Sequence, residues 1–283
     1  MPDFPYESHF RDVSGYRLHY IDTGVRDAPV ILFLHGVPTW SYTFRKIIPQ
    51  CVEAGYRVVA PDLPGFGLSE KAIPSDTFSL NWLSKVLAEF MEQCQISNSV
   101  LFAHDWGGVI GLMQASLNME IFSGIILCNS LLPWPGMKVS YLFKLWRFFA
   151  RFSPVLPVGL IVNLASKKRL TRTEIQGYNY PFHSATEKKA IRIMPRLLPF
   201  KKGQKGYSEV VEAWSVLSGY KRAVLTLFSN GDPITRGGEI IIHKRIPGTR
   251  NQAHKVLNGG HFIQEDAPVE IANAIIAFMK SER

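Results

Sequence analysis

Between residues 17 and 129, short β-branched apolar runs alternate with stretches of helical period, and few folds tolerate that pattern. An unbroken apolar strand needs both faces covered, and a strand–helix–strand unit returns to a parallel neighbour. The alternation therefore points to an α/β chain with a mostly parallel central sheet flanked by helices. Residues 17–22 alternate as a half-exposed strand, 30–34 form a continuous apolar run, and 56–60, 99–103 and 125–127 read as further buried strands. The elements follow in the order β, β, β, α, β, α, β, α, β. Between the 56–60 and 99–103 runs Leu80, Leu83, Leu87, Phe90 and Cys94 recur every three or four residues and make one apolar helical face, with Ser75 and Asp76 placed to cap its start.

After residue 129 the alternation stops. Residues 131–222 are basic, aromatic and interrupted by proline, and read as a helical cap inserted into a core formed by residues 1–130 and 223–283. Strand-like runs resume at 223–228 and 252–257, and a last helix places Ala272, Ile275, Ile276 and Met279 on one face. With 46% hydrophobic residues in 283, the chain can bury a core of this size, which excludes a disordered chain.

The net charge of +9 raises a nucleic-acid reading, and its location argues against it. Residues 134–222 hold 17 Lys and Arg against 4 Glu, whereas the remainder holds 15 against 19 acidic residues. No nucleic-acid motif accompanies the surplus, so the expectation is a solvated basic surface, with anionic-membrane or polyanion contact the lesser option, and no nucleic-acid partner. Cys51, Cys94 and Cys128 are odd in number, widely spaced and set in apolar runs, which suggests free thiols in a reducing compartment and no zinc site. No export signal precedes Gly24, and no apolar stretch is long enough to span a bilayer, so a soluble cytoplasmic protein is expected.

The sharpest local signal is Ala103-His104-Asp105-Trp106-Gly107-Gly108, where a buried strand gives way to a helix. A nucleophile held on so tight a turn needs small residues two before and two after it, and Ala103 and Gly107 supply them. The nucleophile position holds Asp105. A carboxylate is ionised at neutral pH and suits displacement at saturated carbon, leaving an alkyl ester of the enzyme that water must then cleave.

Cleavage needs a base and donors for the developing oxyanion. His261, in the loop after the last strand, is the candidate base, and Asp232, after the preceding strand, the acid that orients it. The backbone N–H groups of Val37 and Trp106 are candidates for the oxyanion hole. Each piece alone has a plainer use: a turn histidine, a polar residue before Pro233, a glycine pair for close packing. Three strand ends in the order nucleophile, acid, histidine point instead to one site. Asp266, before Ala267-Pro268, reads as a helix N-cap, and His35, His104, His183, His243 and His254 read as structural.

Trp106 follows the nucleophile and puts a donor with no acceptor ability beside the reacting carbon. A halide leaves without a proton, so neutral donors suffice for it. The 131–222 segment offers Trp134, Trp146 and Trp214 as a second indole. Phe143, Trp146 and Phe149 share one helical face, which would line a pocket or else pack the cap's own core.

Taken together, His35-Gly36-Val37-Pro38-Thr39-Trp40-Ser41-Tyr42, Pro61-Asp62-Leu63-Pro64-Gly65-Phe66-Gly67-Leu68-Ser69, His104-Asp105-Trp106-Gly107-Gly108 and Gly260-His261-Phe262-Ile263-Gln264-Glu265-Asp266 resemble the haloalkane dehalogenases of the α/β-hydrolase superfamily. The resemblance implies the α/β-hydrolase fold, Asp105 as nucleophile, His261 as base, Asp232 as acid, Trp106 with Trp146 as halide ligands, and no cofactor or metal. It implies a small halogenated alkane and water as reactants, with a primary alcohol, a halide and a proton as products. Val37 and Asn129 stand where another branch of that family carries Asn and its acid. Ala103 stands where Gly is usual, and Pro181-Phe182-His183-Ser184 lacks an expected acidic residue.

Two other readings share these residues. An epoxide hydrolase would use the same Asp nucleophile with a cap tyrosine as proton donor, from among Tyr141, Tyr178, Tyr180, Tyr207 and Tyr220. An inactive hydrolase fold could serve as a basic binding module, which the complete triad argues against.

Overall fold

The computed structural model describes residues 3–282. Eight strands form one sheet: β1 (His9–Val13), β2 (Tyr16–Thr23), β3 (Val30–Leu34), β4 (Arg57–Pro61), β5 (Ser99–His104), β6 (Phe122–Cys128), β7 (Val224–Ser229) and β8 (Lys255–Leu257). Their spatial order is β1-β2-β4-β3-β5-β6-β7-β8. The two hairpin-side pairings, β1 with β2 and β2 with β4, are antiparallel, and the rest are parallel. β1 lies ahead of the stretch in which the alternation was legible and is mostly exposed.

The helices are α1 (Ile48–Glu53), α2 (Leu80–Gln93), α3 (Trp106–Leu117), α4 (Tyr141–Phe152), α5 (Val158–Ala165), α6 (Arg172–Asn179), α7 (Lys189–Leu197), α8 (Tyr207–Leu217), α9 (Gly238–Arg245), α10 (Ile263–Asp266) and α11 (Pro268–Ser281). β5 is buried along its whole length because helices cover both sheet faces. In that core the ring of Phe33 sits 5.0 Å from those of both Phe44 and Phe102, so truncating it to Ala would cost about 3–5 kcal/mol.

Three local expectations are corrected. α2 is capped by Ser79, whose hydroxyl accepts from the Trp82 N–H at 3.1 Å; Ser75 and Asp76 lie in the preceding turn, too far upstream to reach the first helical donors. β8 is shorter than residues 252–257, because a turn closed by the bond from Gln252 N to Thr249 O at 3.3 Å occupies that span's start. Asp266 ends α10, and α11 starts after Ala267 with no side-chain cap. Its carboxylate instead accepts from the backbone N–H groups of Lys167, Lys168 and Gly260 at 3.0, 2.7 and 2.7 Å.

Helices α4 to α8 occupy the chain between β6 and β7. Of these, α8 packs against α3, as a crossover helix returning to the sheet would, and α5 pairs with α6 and α4 with α7. All three cysteines are free and buried. Among the described residues no helix is long and apolar enough to cross a membrane.

Candidate active site

β5 delivers the chain to Asp105, whose backbone turns with φ 50 and ψ −117 before α3 begins. A non-glycine residue rarely adopts a positive φ, so the surroundings must hold it there. Ser130 donates its hydroxyl to the Asp105 carbonyl at 2.6 Å. The neighbours leave no room: a Cβ on Gly107 would meet the Leu34 carbonyl oxygen at 2.1 Å, and one on Gly36 would meet the Asp105 Cβ at 2.4 Å. The second of these close approaches brings the β3 loop under the carboxylate.

That approach sets the electrostatics. Asp105 Oδ1 accepts from the Val37 N–H at 2.9 Å, and the Trp106 N–H also hydrogen-bonds the carboxylate. Burial raises the Asp105 pKa, and the imidazole of His261 and these two donors pull it down less than burial pushes it up. The carboxylate is thus poorly solvated, with Oδ1 held by the Val37 N–H and Oδ2 facing His261.

His261 is fastened through its backbone. Its N–H donates to Ala165 O at 2.8 Å, and its carbonyl accepts from His104 Nε2 at 2.9 Å and Asn129 Nδ2 at 3.0 Å. Its Nδ1 donates to Asp232 Oδ2 at 3.0 Å, and its Nε2 faces Asp105 Oδ2 at 3.7 Å. Asp232 also accepts from the Ile234 N–H at 2.8 Å and from the Thr235 hydroxyl. Burial would raise the Asp232 pKa, but the imidazole and these donors outweigh it and bring it down to about 2. Burial would lower that of His261, yet Asp232, by charge and hydrogen bond, and Asp105 together raise it to about 9.

The expected nucleophile, acid and base are therefore brought together, from the ends of β5, β7 and β8. They open onto a cavity of about 660 Å³ lined mostly by apolar side chains of α4 and α5 together with Trp106 and Trp146. The indoles of Trp40 and Trp214 donate to the carbonyls of Gly177 and Pro133 and lie outside this cavity. Among the described residues the indole N–H groups of Trp106 and Trp146 hydrogen-bond no protein acceptor, which leaves both for a ligand in the cavity they line. Trp134 does not line the cavity, and neither does any of the five tyrosines. Tyr178 is occupied with Glu265 and Thr43, and Tyr141 is 77% exposed.

Reading residues alone missed what positions the site. Asn129 carries four of these contacts, its Oδ1 accepting from Ser229 N at 2.8 Å and its Nδ2 donating to Ser229 Oγ, Gly260 O and His261 O at 3.0 Å each. A buried amide ending an apolar strand at the sheet's carboxyl edge was the available signal. His104, read as structural, is a neutral donor to the His261 carbonyl, its pKa lowered to about 3, chiefly by burial. Glu265 is fully buried beside Arg45, Lys46 and Tyr178, and ties α6 to the turn that follows His261.

The sheet order, the elbow and the three strand-end residues define a class. Residues 29–268 match the α/β-hydrolase fold family, and the chain belongs to it. A haloalkane dehalogenase of Psychrobacter cryohalolentis is 37% identical over 289 residues, covering 99% of this chain and 94% of that protein. One of Mycolicibacterium paratuberculosis is 35% identical over 286 residues, covering 99% and 95%. A solved structure of a tetrameric haloalkane dehalogenase from Paraglaciecola agarilytica NO2 superposes with a TM-score of 0.86 at 29% identity, covering 96% of this chain and 93% of that one. Within the α/β hydrolases, this chain is a member of the haloalkane dehalogenases.

Proposed function

We propose that this dehalogenase acts through a covalent alkyl ester on Asp105. Oδ2 attacks the carbon that bears the halogen; the carbon–halogen bond breaks, and the halide departs with its electron pair toward the indole N–H groups of Trp106 and Trp146. His261 then takes a proton from water, whose oxygen adds to the Asp105 carboxyl carbon. The oxyanion forms on Oδ1, against the N–H groups of Val37 and Trp106. Collapse returns the carboxylate and releases a primary alcohol, with one proton and one halide as the other products. Asp232 orients the imidazole and stabilises its charged form.

The observation that carries this reading is the split of the Asp105 carboxylate, with Oδ1 held by Val37 N–H at 2.9 Å and Oδ2 turned to His261. Residues 131–222 are the insertion of our reading, in which α4 to α7 act as the cap and α8 as the sheet's crossover helix. Buried free thiols support a cytoplasmic location. Epoxide opening would call for a proton donor from the cap, and the cavity lining offers no tyrosine. The test is halide release with acidification from a bromoalkane, set against diol formation from an epoxide. Epoxide turnover without halide release would reverse the reading.

A further inference from the structure

Helix α4 turns an apolar face to the outside. Tyr141, Leu145, Phe148 and Phe152 follow at spacings of four, three and four, so they share one face, opposite the buried Ala150. Phe148 is 63% exposed and Phe152 57%, with their rings 4.9 Å apart. Isolated exposed apolar residues need no explanation, but an aromatic stripe along a whole helix marks a surface that something covers.

The charge of the segment that carries the stripe says what covers it. Residues 131–173 hold eight Lys and Arg and no Asp or Glu. Lys144 and Arg151 are exposed along one flank of the stripe. An isologous contact with a second copy would set these cations against the same cations, with no acidic residue in the segment to meet them. A helix with aromatic residues on one face and cations beside them matches an anionic bilayer, where the rings sink to the acyl boundary and the cations meet the headgroups.

We propose that the α4 face docks this enzyme on anionic lipid bilayers. The consequence rests on the dehalogenase reading. Leu142 and Phe149 of α4 and Leu164 of α5 are exposed and also line the active-site cavity, so its mouth opens beside the docking face. An apolar haloalkane concentrates in the bilayer and reaches Asp105 from there.

The test is co-flotation of the intact protein with vesicles of phosphatidylcholine alone or mixed with phosphatidylglycerol. Binding is expected to the mixed vesicles, weakening as salt is added, and not to the neutral ones. Phe148→Ser with Phe152→Ser should abolish it. Lys144→Gln with Arg151→Gln should weaken partitioning about thirty-fold, at ~1 kcal/mol for each cation. Neither pair lines the cavity, so each variant should still release halide from a dissolved bromoalkane, which shows that it is folded. Loss of halide release in every form, with vesicle binding intact, would fail the catalytic reading and leave the docking face standing. No binding to mixed vesicles overturns the proposal. So does binding that survives the serine pair, or a self-association that the serine pair dissolves without any vesicle binding.

Discussion

His261 Nε2 stands 3.7 Å from Asp105 Oδ2, face to face but beyond hydrogen-bond reach. The imidazole therefore does not hold the attacking oxygen, and attack on carbon should not depend on it. On the proposed mechanism His261 enters only with water. Replacing His261 by Ala should leave the first chemical step intact and stop the second, so intact-mass measurement after substrate addition should show the alkyl adduct. Steady-state turnover should fall by roughly 10²–10⁴. A folded variant with no adduct would contradict the order of steps, and Asp105→Ala should show neither adduct nor turnover.

The same pairing makes a prediction about pH. Two carboxylates face one imidazole, and together they overcome burial to raise the His261 pKa to about 9. Esterification would remove the Asp105 charge, so the imidazole should give up its proton more readily when it is required as a base. Imidazole resonances followed by NMR should place His261 near 9 in the native protein, and Asp105→Asn should lower it. An unchanged value would mean that Asp105 contributes nothing to holding the proton.

Linkage fixes the sign for stability. The raised His261 pKa gives stability that is fully present below the unfolded value of about 6.5 and lost as pH rises through about 9. Asp232, lowered to about 2, gives stability that is present above its ordinary 3.8 and lost as pH falls through about 2. Thermal denaturation across this range should show Asp232→Asn losing most against the native protein between these limits. A constant difference down to pH 2 would place the effect in packing instead.

The site's indoles can be told apart by fluorescence. Trp40 and Trp214 already donate to backbone carbonyls, while Trp106 and Trp146 line the cavity. Halide quenching should weaken on Trp146→Phe and on Trp106→Phe, and persist on Trp214→Phe. Undiminished quenching without Trp146 would pass the role of second donor to another indole.

How much of this was readable in residues follows from what each depends on. β3, β5 and β6 announce themselves because strands buried on both faces must be apolar throughout. Asp105 and Asp232 are legible because they sit where such strands end and because the elbow demands Gly107, whereas His261 is legible from its place in the loop after the last, exposed strand. The expected order puts three strands before the first helix within residues 17–129, where the structure has two and the third, β1, lies ahead of them; the bounds of β1 escaped because an exposed edge strand has no such constraint. Asn129 and Asp266 escaped for another reason: each bonds backbone groups brought close only by the folded chain, and a single amide or carboxylate carries no trace of partners as many as 132 residues away.

Asp266 shows what that hidden layer does. Its Oδ2 accepts from Gly260 N–H, next to His261, and also from Lys167 N–H at the end of α5, while Oδ1 accepts from Lys168 N–H. One carboxylate thus joins the chain after α5 to the loop that carries His261, and His261 N–H donates to Ala165 O across the same junction. Asp266→Ala leaves three donors without a partner. A buried unsatisfied donor costs ~1–3 kcal/mol, and water can reach the two lysine amides more easily than that of Gly260, so the expected loss is about 2 kcal/mol or more. The loop should also drift, moving His261 and not Asp105. Displacements of this kind cost roughly 10²-fold in rate. The halide burst of the first turnover should then keep its amplitude while steady-state turnover falls. If stability drops and turnover per folded molecule does not, Asp266 braces the fold without positioning the base.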